Sequence, residues 1–300
     1  MSEQNTLREA YNNVEIEGVL LEVRHQEWKS KEGLNIELDI EVAENEIHTV
    51  SGMSKYKKAD GSENGIAKGY KTIIDEYKSV ASHGREEADK VRVNQGKVGV
   101  NEYYGQDGKL KSFPQLTSNF FNRVSPGEEY APKAEFEVEV FVKSTSPEIK
   151  NDEETGRLKL EGIIPLYGGK VIPFSFVVNE EGADYVDSNY EAGDTAKVYG
   201  DIINFKEKVT VMEKAAFGKD KEKVTYKTLR EYLITGGVDP YDEENANSYK
   251  VDSIKQAMVE RETYLAELKN QSQQPKAEEK KGFGKKSSDA PAKKKIELPF

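Results

Sequence analysis

Cysteine is absent from this chain of 300 residues, so it can form neither a disulfide nor a zinc site built on thiolates. Histidine is scarce as well, and His25, His48 and His83 are too scattered to form a spaced metal motif. No apolar run approaches the length of a membrane span, and the N-terminal MSEQNTLREA lacks the apolar core of a signal peptide. We therefore expect a cytoplasmic protein that binds no metal or other cofactor and does not enter a membrane.

Positive charge is in deficit, because the formal net charge is -11 at pH 7. This argues against nucleic-acid affinity spread over the whole surface, but it leaves room for a local basic groove. Hydrophobic residues make up 36% of the chain, and its 16 Tyr and 11 Phe exclude a wholly disordered protein. The length is sufficient for two ordinary domains.

Alternation of apolar and polar residues, typical of half-buried strands, dominates the first part of the chain. Three such segments end at residue 56, and a stretch at 65–82 then repeats its apolar residues at helical spacing. Two further strands follow at 89–105 and 109–124. Three strands, a helix and two strands is the order of the oligonucleotide-binding (OB) barrel. A tight turn at Asp107–Gly108 would join the last two strands and pair Tyr104 with Lys111.

The same order of elements recurs in the second part. Strand patterns at 134–142 and 156–178 precede a short helix candidate at 182–190, and strands within 193–214 follow it. We therefore predict a mainly β protein with minor α content, containing two tandem OB-like five-stranded barrels, a C-terminal helix and a disordered tail.

The sequence changes character after residue 222. The segment 223–234 fits either a strand or a short helix, and 251–269 is a helix pattern with Asp252 as a plausible N-cap. From Gln271 the composition is that of a flexible linker. The predicted domains are the first barrel (1–125), the second barrel (126–222), an acidic loop and helix region (223–270) and the flexible tail (271–300).

Acidic residues give no indication of catalysis. Most of them alternate with apolar residues in the predicted strands, which is typical of the solvated face of an antiparallel sheet. No carboxylate pair stands beside a histidine or in a metal-like cluster. We expect that the protein is not an enzyme.

Aromatic and basic residues in the predicted loops suggest a surface for single-stranded nucleic acid, which needs flat side chains for stacking and cations along the backbone. The candidates in the first barrel are Trp28, Lys29, Lys31, Tyr56, Lys57, Lys58, Tyr103, Tyr104, Lys109, Lys111 and Phe113. The candidates in the second barrel, where the signal is weaker, are Tyr167, Lys170, Phe205, Lys206 and Lys208. The sequence leaves open which of the two adjacent tyrosines, Tyr103 or Tyr104, faces the groove.

Charge is segregated near the C-terminus. Residues 239–268 contain eight acidic and three basic residues, whereas 276–295 contain eight lysines and three acidic residues. The last five residues, Ile296, Glu297, Leu298, Pro299 and Phe300, then form an apolar tip. This tip resembles that of bacterial and phage single-stranded DNA-binding proteins, in which an OB core carries a flexible tail ending in acidic residues, an aliphatic residue, Pro and Phe.

The resemblance implies that the tip binds replication or recombination proteins, such as a polymerase, helicase, primase or recombinase, while the barrels hold single-stranded DNA. The segment YLITGGVDPYDEE and the helix after it resemble, more loosely, two-barrel proteins of phages that infect Gram-positive hosts. One departure is that three lysines precede the tip, where the family is strongly acidic.

Two functions follow as expectations. The first is a single-stranded DNA-binding protein, phage-encoded as the resemblance implies, that acts in replication, recombination or repair. The second is a replication adaptor without DNA binding of its own, because IELPF also resembles short peptides that dock on sliding clamps or polymerases.

Overall fold

A computed structural model describes residues 7–242 and 244–273 of the chain. Strands account for 52% and helices for 19%, so the predicted mainly β class is confirmed. The strands are β1 Asn12–Glu27, β2 Gly33–Ala43, β3 Glu46–Lys55, β4 Lys90–Tyr104, β5 Leu110–Thr117, β6 Asn122–Arg123, β7 Lys133–Lys150, β8 Glu153–Pro165, β9 Val171–Val178, β10 Thr195–Glu213 and β11 Lys221–Gly237. The helices are α1 Gly65–Glu76, α2 Val80–His83, α3 Glu180–Asn189 and α4 Val251–Gln273, with a 3₁₀ turn at Tyr167–Gly169.

Hydrogen bonding closes the first five strands into a ring. β1 pairs with β2 and β4, β2 with β3, and β4 with β5, all antiparallel, while β3 and β5 pair in parallel through Val50 and Leu116. The second ring repeats this pattern with β7, β8, β9, β11 and β10, and its parallel pair joins Leu233 to Val177. The two predicted OB-like barrels are therefore present, each with a helix between its third and fourth strands.

The segment 223–234 is a strand, which settles the choice between strand and helix. It forms most of β11, which pairs with β10 from Val198–Gly237 to Glu213–Lys221. The second ring therefore uses residues up to Gly237, beyond the predicted limit at 222. The domain boundaries themselves stay predictions.

Helix α1 packs on the first barrel through Ala67, Tyr70 and Ile73. The Tyr70 hydroxyl donates to the carbonyl of Ser118 at 3.1 Å. Gly52 on β3 makes room for this ring, because a Cβ atom there would lie 2.4 Å from the tyrosine oxygen. The predicted helix 65–82 is in fact two helices. Tyr77 has extended dihedral angles that end α1, and a capping box at Ser79 begins α2.

The two barrels are joined directly. β1 pairs antiparallel with β7 over six residues, from Asn12–Val138 to Glu17–Lys133. β10 also contacts the β2–β3 turn, where Phe205 pairs with Glu46 and the Lys206 N–H donates to the Asn45 carbonyl at 2.8 Å. The buried apolar side chains of both rings belong to one continuous hydrophobic core.

Glu17 and Glu139 are exceptions to the prediction that acidic residues of the strand patterns lie on solvated faces, and Glu148, which lies outside those patterns, is buried as well. Glu17, Glu139 and Glu148 are 4%, 5% and 3% exposed. Each is buried because an arginine accompanies it: Arg92 at 2.9 Å from Glu17, Arg8 at 2.7 Å from Glu139 and Arg157 at 2.8 Å from Glu148. Alternation alone cannot distinguish such a paired carboxylate from a solvated one.

Helix α4 begins at Val251, so Asp252 lies in its first turn and is not the predicted N-cap. The helix continues to Gln273, so residues 271–273 of the predicted tail are helical. The rest of the tail, with the tip Ile296–Phe300, lies outside the described residues. None of the helices within 7–242 and 244–273 is long and apolar enough to cross a membrane.

Candidate nucleic-acid interface

The outer face of the first barrel is formed by β2, β3, β5 and β4, which lie side by side in that order. Buried and exposed residues alternate along β2 and β3, so every second side chain points to this face. A shallow cavity of about 400 Å³ lies on it, and we call this cavity with its lining the groove. Its lining includes Asn35 of β2 and Met53 of β3, together with Lys97 and Gln115 at the base of the β4–β5 hairpin. OB folds bind oligonucleotides on this face, between their first and last hairpins.

Trp28 lies at one rim of the groove, in the turn between β1 and β2. Its indole Nε1–H donates to the Asn35 side-chain oxygen at 2.7 Å, and its backbone N–H donates to the Gly33 carbonyl at 2.9 Å. Gly33 lies under the ring, because a Cβ atom there would be 2.9 Å from the indole. Trp28 is thus a half-buried surface residue, held on the hairpin and not part of the core.

The β4–β5 hairpin carries two aromatic rings on the opposite rim. Tyr103 and Phe113 are 44% and 51% exposed, and their rings stack with centroids 6.2 Å apart at 29°. Tyr103 lies six residues after Lys97 on β4, and residues an even number apart on a strand point to the same face. Because Lys97 lines the groove, both side chains point to the outer face. Tyr103 is therefore the tyrosine that faces the groove side.

The predicted register of this hairpin is wrong. Lys111 pairs with Tyr103, and Tyr104 pairs with Leu110. A two-residue turn at Asp107–Gly108 would have paired Tyr104 with Lys111, but the loop spans 105–109 and is closed by the Gly105 N–H donating to the Lys109 carbonyl at 3.0 Å. The longer loop shifts the pairing and places Tyr104 on the other face.

Lysines surround the groove. In the part of the chain that the structure describes, the predicted ones are exposed and make no ion pair: Lys29, Lys31, Lys57, Lys58, Lys109 and Lys111. Lys57 and Lys58 line a second cavity of about 420 Å³, which shares Met53 with the groove. Lys97 differs, because its ammonium is 2.6 Å from the Glu9 carboxylate. Unpaired ammonium groups beside exposed aromatics match the requirements of a single-strand site.

Tyr56 and Tyr104, two of the predicted stacking residues, are partly covered. The Tyr56 hydroxyl donates to Glu27 at 2.9 Å, and the Lys71 ammonium lies 4.8 Å from its ring. Tyr104 faces α4, with the Lys269 ammonium 6.0 Å from its ring. Neither ring is as accessible as Tyr103 or Phe113.

The second-barrel candidates fall into two separate places. Tyr167, 83% exposed, and Lys170 lie at the β8–β9 turn, where the Lys170 ammonium is 5.9 Å from the Tyr264 ring of α4. Phe205 lies at the contact between β10 and the first barrel. Lys206 and Lys208 continue along the β10–β11 hairpin.

Beyond the barrels, the β10–β11 hairpin forms a projecting arm, residues 206–228. Lys208 pairs with Tyr226 on one face, and the Lys206 ammonium lies 4.8 Å from the Tyr226 ring. Phe217 at its end is 92% exposed. The arm is a second basic and aromatic surface, separate from the groove.

The outer face of β8 and β9, which corresponds to the groove, differs in composition. Its outward side chains include Lys159, Glu161, Ser175 and Val177, and the Ser175 hydroxyl donates to Glu161 at 2.7 Å. Within the described residues this face carries no exposed aromatic. The first barrel therefore has the stronger candidate site.

Sequence reasoning missed several residues at the groove. Met53 is 67% exposed on β3, and Phe120 is 49% exposed beside Asn119, which lines the groove. The amides Asn35 and Gln115 also line it. The sequence offers one signal for these residues, the apolar Met53 at a strand position that alternation predicts to be exposed. The amides give none, because polar residues at such positions are typical of any solvated sheet face.

Acidic side chains on β1 and β2 are neutralised by Arg24. Its guanidinium is 2.8 Å from Glu22, 3.3 Å from Glu37 and also pairs with Asp39. Burial opposes ionisation of Asp39, but hydrogen bonds from Arg24 and Thr49 outweigh it and hold the pKa of Asp39 below its usual value. These carboxylates are therefore charged but paired, which limits their repulsion of a phosphate backbone.

A family model described as YorF matches residues 10–271. The chain belongs to the YorF family. No curated protein matches its sequence. The family match spans both barrels and α4 as far as Gln271.

Solved structures share the fold of this YorF-family chain. The wild-type single-stranded DNA binding protein from Thermus aquaticus is 10% identical, with a TM-score of 0.50 over 79% of this chain and 97% of that one. A deletion mutant of the same protein is 11% identical, with a TM-score of 0.51 over 80% and 98%. At such identity the likeness shows a shared fold and no more.

No group of histidine and acidic side chains within the described residues could hold a metal ion. Three carboxylates with a lowered pKa, those of Asp39, Glu139 and Glu148, each contact an arginine. The site is therefore described by stacking surfaces, lysines and amides.

Proposed function

We propose that the protein binds single-stranded DNA without acting as an enzyme, and that it covers and protects the strand during replication, recombination or repair. The observation that carries the proposal is the outer face of the first barrel. Met53 lines the groove, Trp28 contacts its lining residue Asn35, and Tyr103 and Phe113 stand on the hairpin whose base lines it. Exposed lysines that make no ion pair within the described residues lie on the same loops and hairpin. Bases would stack on the rings while phosphates contact the lysines. The shared fold with single-stranded DNA binding proteins supports this.

Duplex DNA fits the site poorly, because pairing hides the base faces that the aromatic side chains would stack on. Bound phosphates release counterions, so affinity should fall with salt, with a log–log slope of about -0.7 for each neutralised phosphate of a single strand. The net charge of -11 adds repulsion outside the groove, and because salt screens this repulsion too, it makes the dependence less steep.

The test is a titration of labelled oligo-dT and of duplex DNA at several salt concentrations. Trp28 is the one tryptophan of the chain, so quenching of its fluorescence reports stacking near the groove. Lys57→Gln and Lys58→Gln should each reduce the salt slope by somewhat less than one, as expected for lost phosphate contacts. Lys143→Gln on the second barrel is the matched control and should leave the slope unchanged. Equal affinity for both forms, or no binding at low salt, would favour the adaptor function.

We further propose that the tip Ile296–Phe300 recruits replication or recombination proteins, in a phage context. The support is the sequence resemblance of the tip. A pocket that grips both the Phe300 ring and its carboxylate needs a cation for the latter. Deleting Leu298–Phe300 should abolish capture of these proteins and leave DNA affinity nearly unchanged. One Gly added after Phe300 should have the same effect, whereas a clamp-type peptide would tolerate it.

A further inference from the structure

The groove is lined by neutral hydrogen-bonding groups at its centre. Four amides, of Asn35, Gln95, Gln115 and Asn119, and three hydroxyls, of Ser51, Thr117 and Ser118, contribute. Its two charged lining residues are already paired, since Lys97 contacts Glu9 at 2.6 Å and Glu37 contacts Arg24 at 3.3 Å. Such a lining favours a neutral, polar ligand over a phosphate. On a nucleic-acid strand the neutral polar part is the base, so base edges can reach this centre while the backbone follows the lysines.

Asn35 differs from the other amides because its orientation is fixed. Indole Nε1–H can only donate a hydrogen bond, so at 2.7 Å it must face the Asn35 carbonyl oxygen and not its NH₂ group. The Nδ2 donors of Asn35 are therefore turned away from Trp28. Among the described residues they have no partner.

The side chains of Gln95, Gln115 and Asn119 make no hydrogen bond within the described part of the chain. Each can rotate to offer either its oxygen or its nitrogen, so each can satisfy any base edge. Discrimination between bases must come from the group that cannot rotate, which is Asn35.

We propose that Asn35, oriented by Trp28, donates from Nδ2 to a carbonyl oxygen of an unstacked base, so that the groove prefers carbonyl-bearing bases. Thymine, guanine and cytosine carry such an oxygen, whereas adenine has none. This inference rests on the proposed function, the binding of single-stranded DNA, and adds selectivity among bases to it. One fixed hydrogen bond corresponds to a preference of about 3- to 10-fold.

The probe must separate hydrogen bonding from stacking, because oligo-dA also stacks on itself. We compare oligo-dT with an oligonucleotide of the same length containing difluorotoluene, a thymine shape analogue in which fluorine replaces both carbonyl oxygens. Affinities are measured by anisotropy of a terminal label, and the melting temperature of each variant confirms that it is folded. The wild type should bind the analogue about 3- to 10-fold more weakly than oligo-dT.

Three variants locate the effect. Asn35→Leu should lower the ratio of oligo-dT affinity to analogue affinity, because only the rotating amides then distinguish the two probes. Trp28→Phe keeps an aromatic ring but frees the amide to rotate, so the ratio should fall towards that of Asn35→Leu. Asn270→Leu, which removes an exposed amide on α4 outside the groove, is the matched control and should retain the wild-type ratio. If wild type and Asn35→Leu showed the same ratio, the role of Asn35 would be wrong but the proposed DNA binding would stand. If the wild type bound no oligonucleotide at all, the proposed function would be wrong as well.

Discussion

Arg261 of α4 donates a hydrogen bond to Glu102 of β4, and the two side chains are only 13% and 11% exposed. Glu102 lies on the inner face of the β4–β5 hairpin, next to Tyr103 on the outer face. Lys269, two turns later on the same helix, lies over Tyr104. Helix α4 therefore holds the hairpin from behind, while the hairpin presents Tyr103 and Phe113 on the groove side.

Removing the arginine should loosen this hairpin. Arg261→Met leaves the Glu102 carboxylate buried without its cation, which typically costs about 3–5 kcal/mol. We expect a lower free energy of unfolding in urea and weaker binding of oligo-dT. The double variant Arg261→Met, Glu102→Leu removes both charges and should recover most of the stability. An unchanged unfolding midpoint in Arg261→Met would show that the pair does not anchor the hairpin.

The stacked pair on the hairpin should contribute directly to binding. Replacing Tyr103 and Phe113 together with Ala should cost about 1–3 kcal/mol of oligo-dT affinity for each base that stacks there. Both rings are about half exposed, so the melting temperature should change little. Tyr167→Ala is the control, because Tyr167 is more exposed but lies at the β8–β9 turn. If only Tyr167→Ala weakened binding, the site would have to be moved to the second barrel.

Much of the fold can be predicted from the local pattern of apolar and polar residues. Period-two alternation locates the strands, and the order of elements predicts both barrels, because these signals are carried by neighbouring residues. The register of the β4–β5 hairpin was missed because Asp107–Gly108 reads as a two-residue turn, whereas the chain closes a loop over 105–109. A register shift of one residue changes which side chains of the two strands share a face. The choice between Tyr103 and Tyr104 therefore required the structure.

The site was predicted less completely than the fold. The sequence predicts Trp28 from its place on a hairpin flanked by lysines and Phe113 from its place on the last hairpin, and the structure puts both side chains at the surface. Asn35 was not predicted, since its role depends on the hydrogen bond from Trp28 and on side chains from β4 and β5. The Arg261–Glu102 pair joins residues 159 positions apart, so no local pattern could reveal it.

A buried charge network should stabilise the second barrel. The Arg157 guanidinium is 2.8 Å from both Glu148 and Glu231, linking the β7–β8 hairpin to β11. Burial opposes ionisation of Glu148, but hydrogen bonds from Arg157, Thr155 and Lys150 outweigh it and lower its pKa to about 2. Arg157→Met should therefore destabilise the fold by about 3–5 kcal/mol.

A triple variant tests whether the loss arises from unpaired charge. Arg157→Met with Glu148→Leu and Glu231→Leu replaces the network by apolar groups of similar volume, and such replacements are often neutral. We expect its urea midpoint to lie close to that of the wild type. Equal destabilisation of the single and triple variants would indicate that packing, and not charge, is responsible.

His48 should make the protein less stable in mild acid. Its side chain is 1% exposed, its Nε2 lacks a hydrogen-bond partner among the described residues, and the nearest carboxylate oxygen, of Glu46, is 3.6 Å away. Burial lowers the pKa of His48 from 6.5 to about 4. Between these values the unfolded chain binds a proton that the folded chain does not, so stability falls as pH decreases from about 6.5 to 4.

The slope attributable to this histidine is at most about 1.4 kcal/mol per pH unit, and the total loss is about 3 kcal/mol. His48→Leu removes the group and should flatten the dependence of the urea unfolding free energy on pH over that interval. His25→Gln, at an exposed position on β1, is the matched control and should retain the wild-type profile. Identical slopes in wild type and His48→Leu would mean that His48 is already protonated in the folded barrel, with Glu46 as its counter-charge.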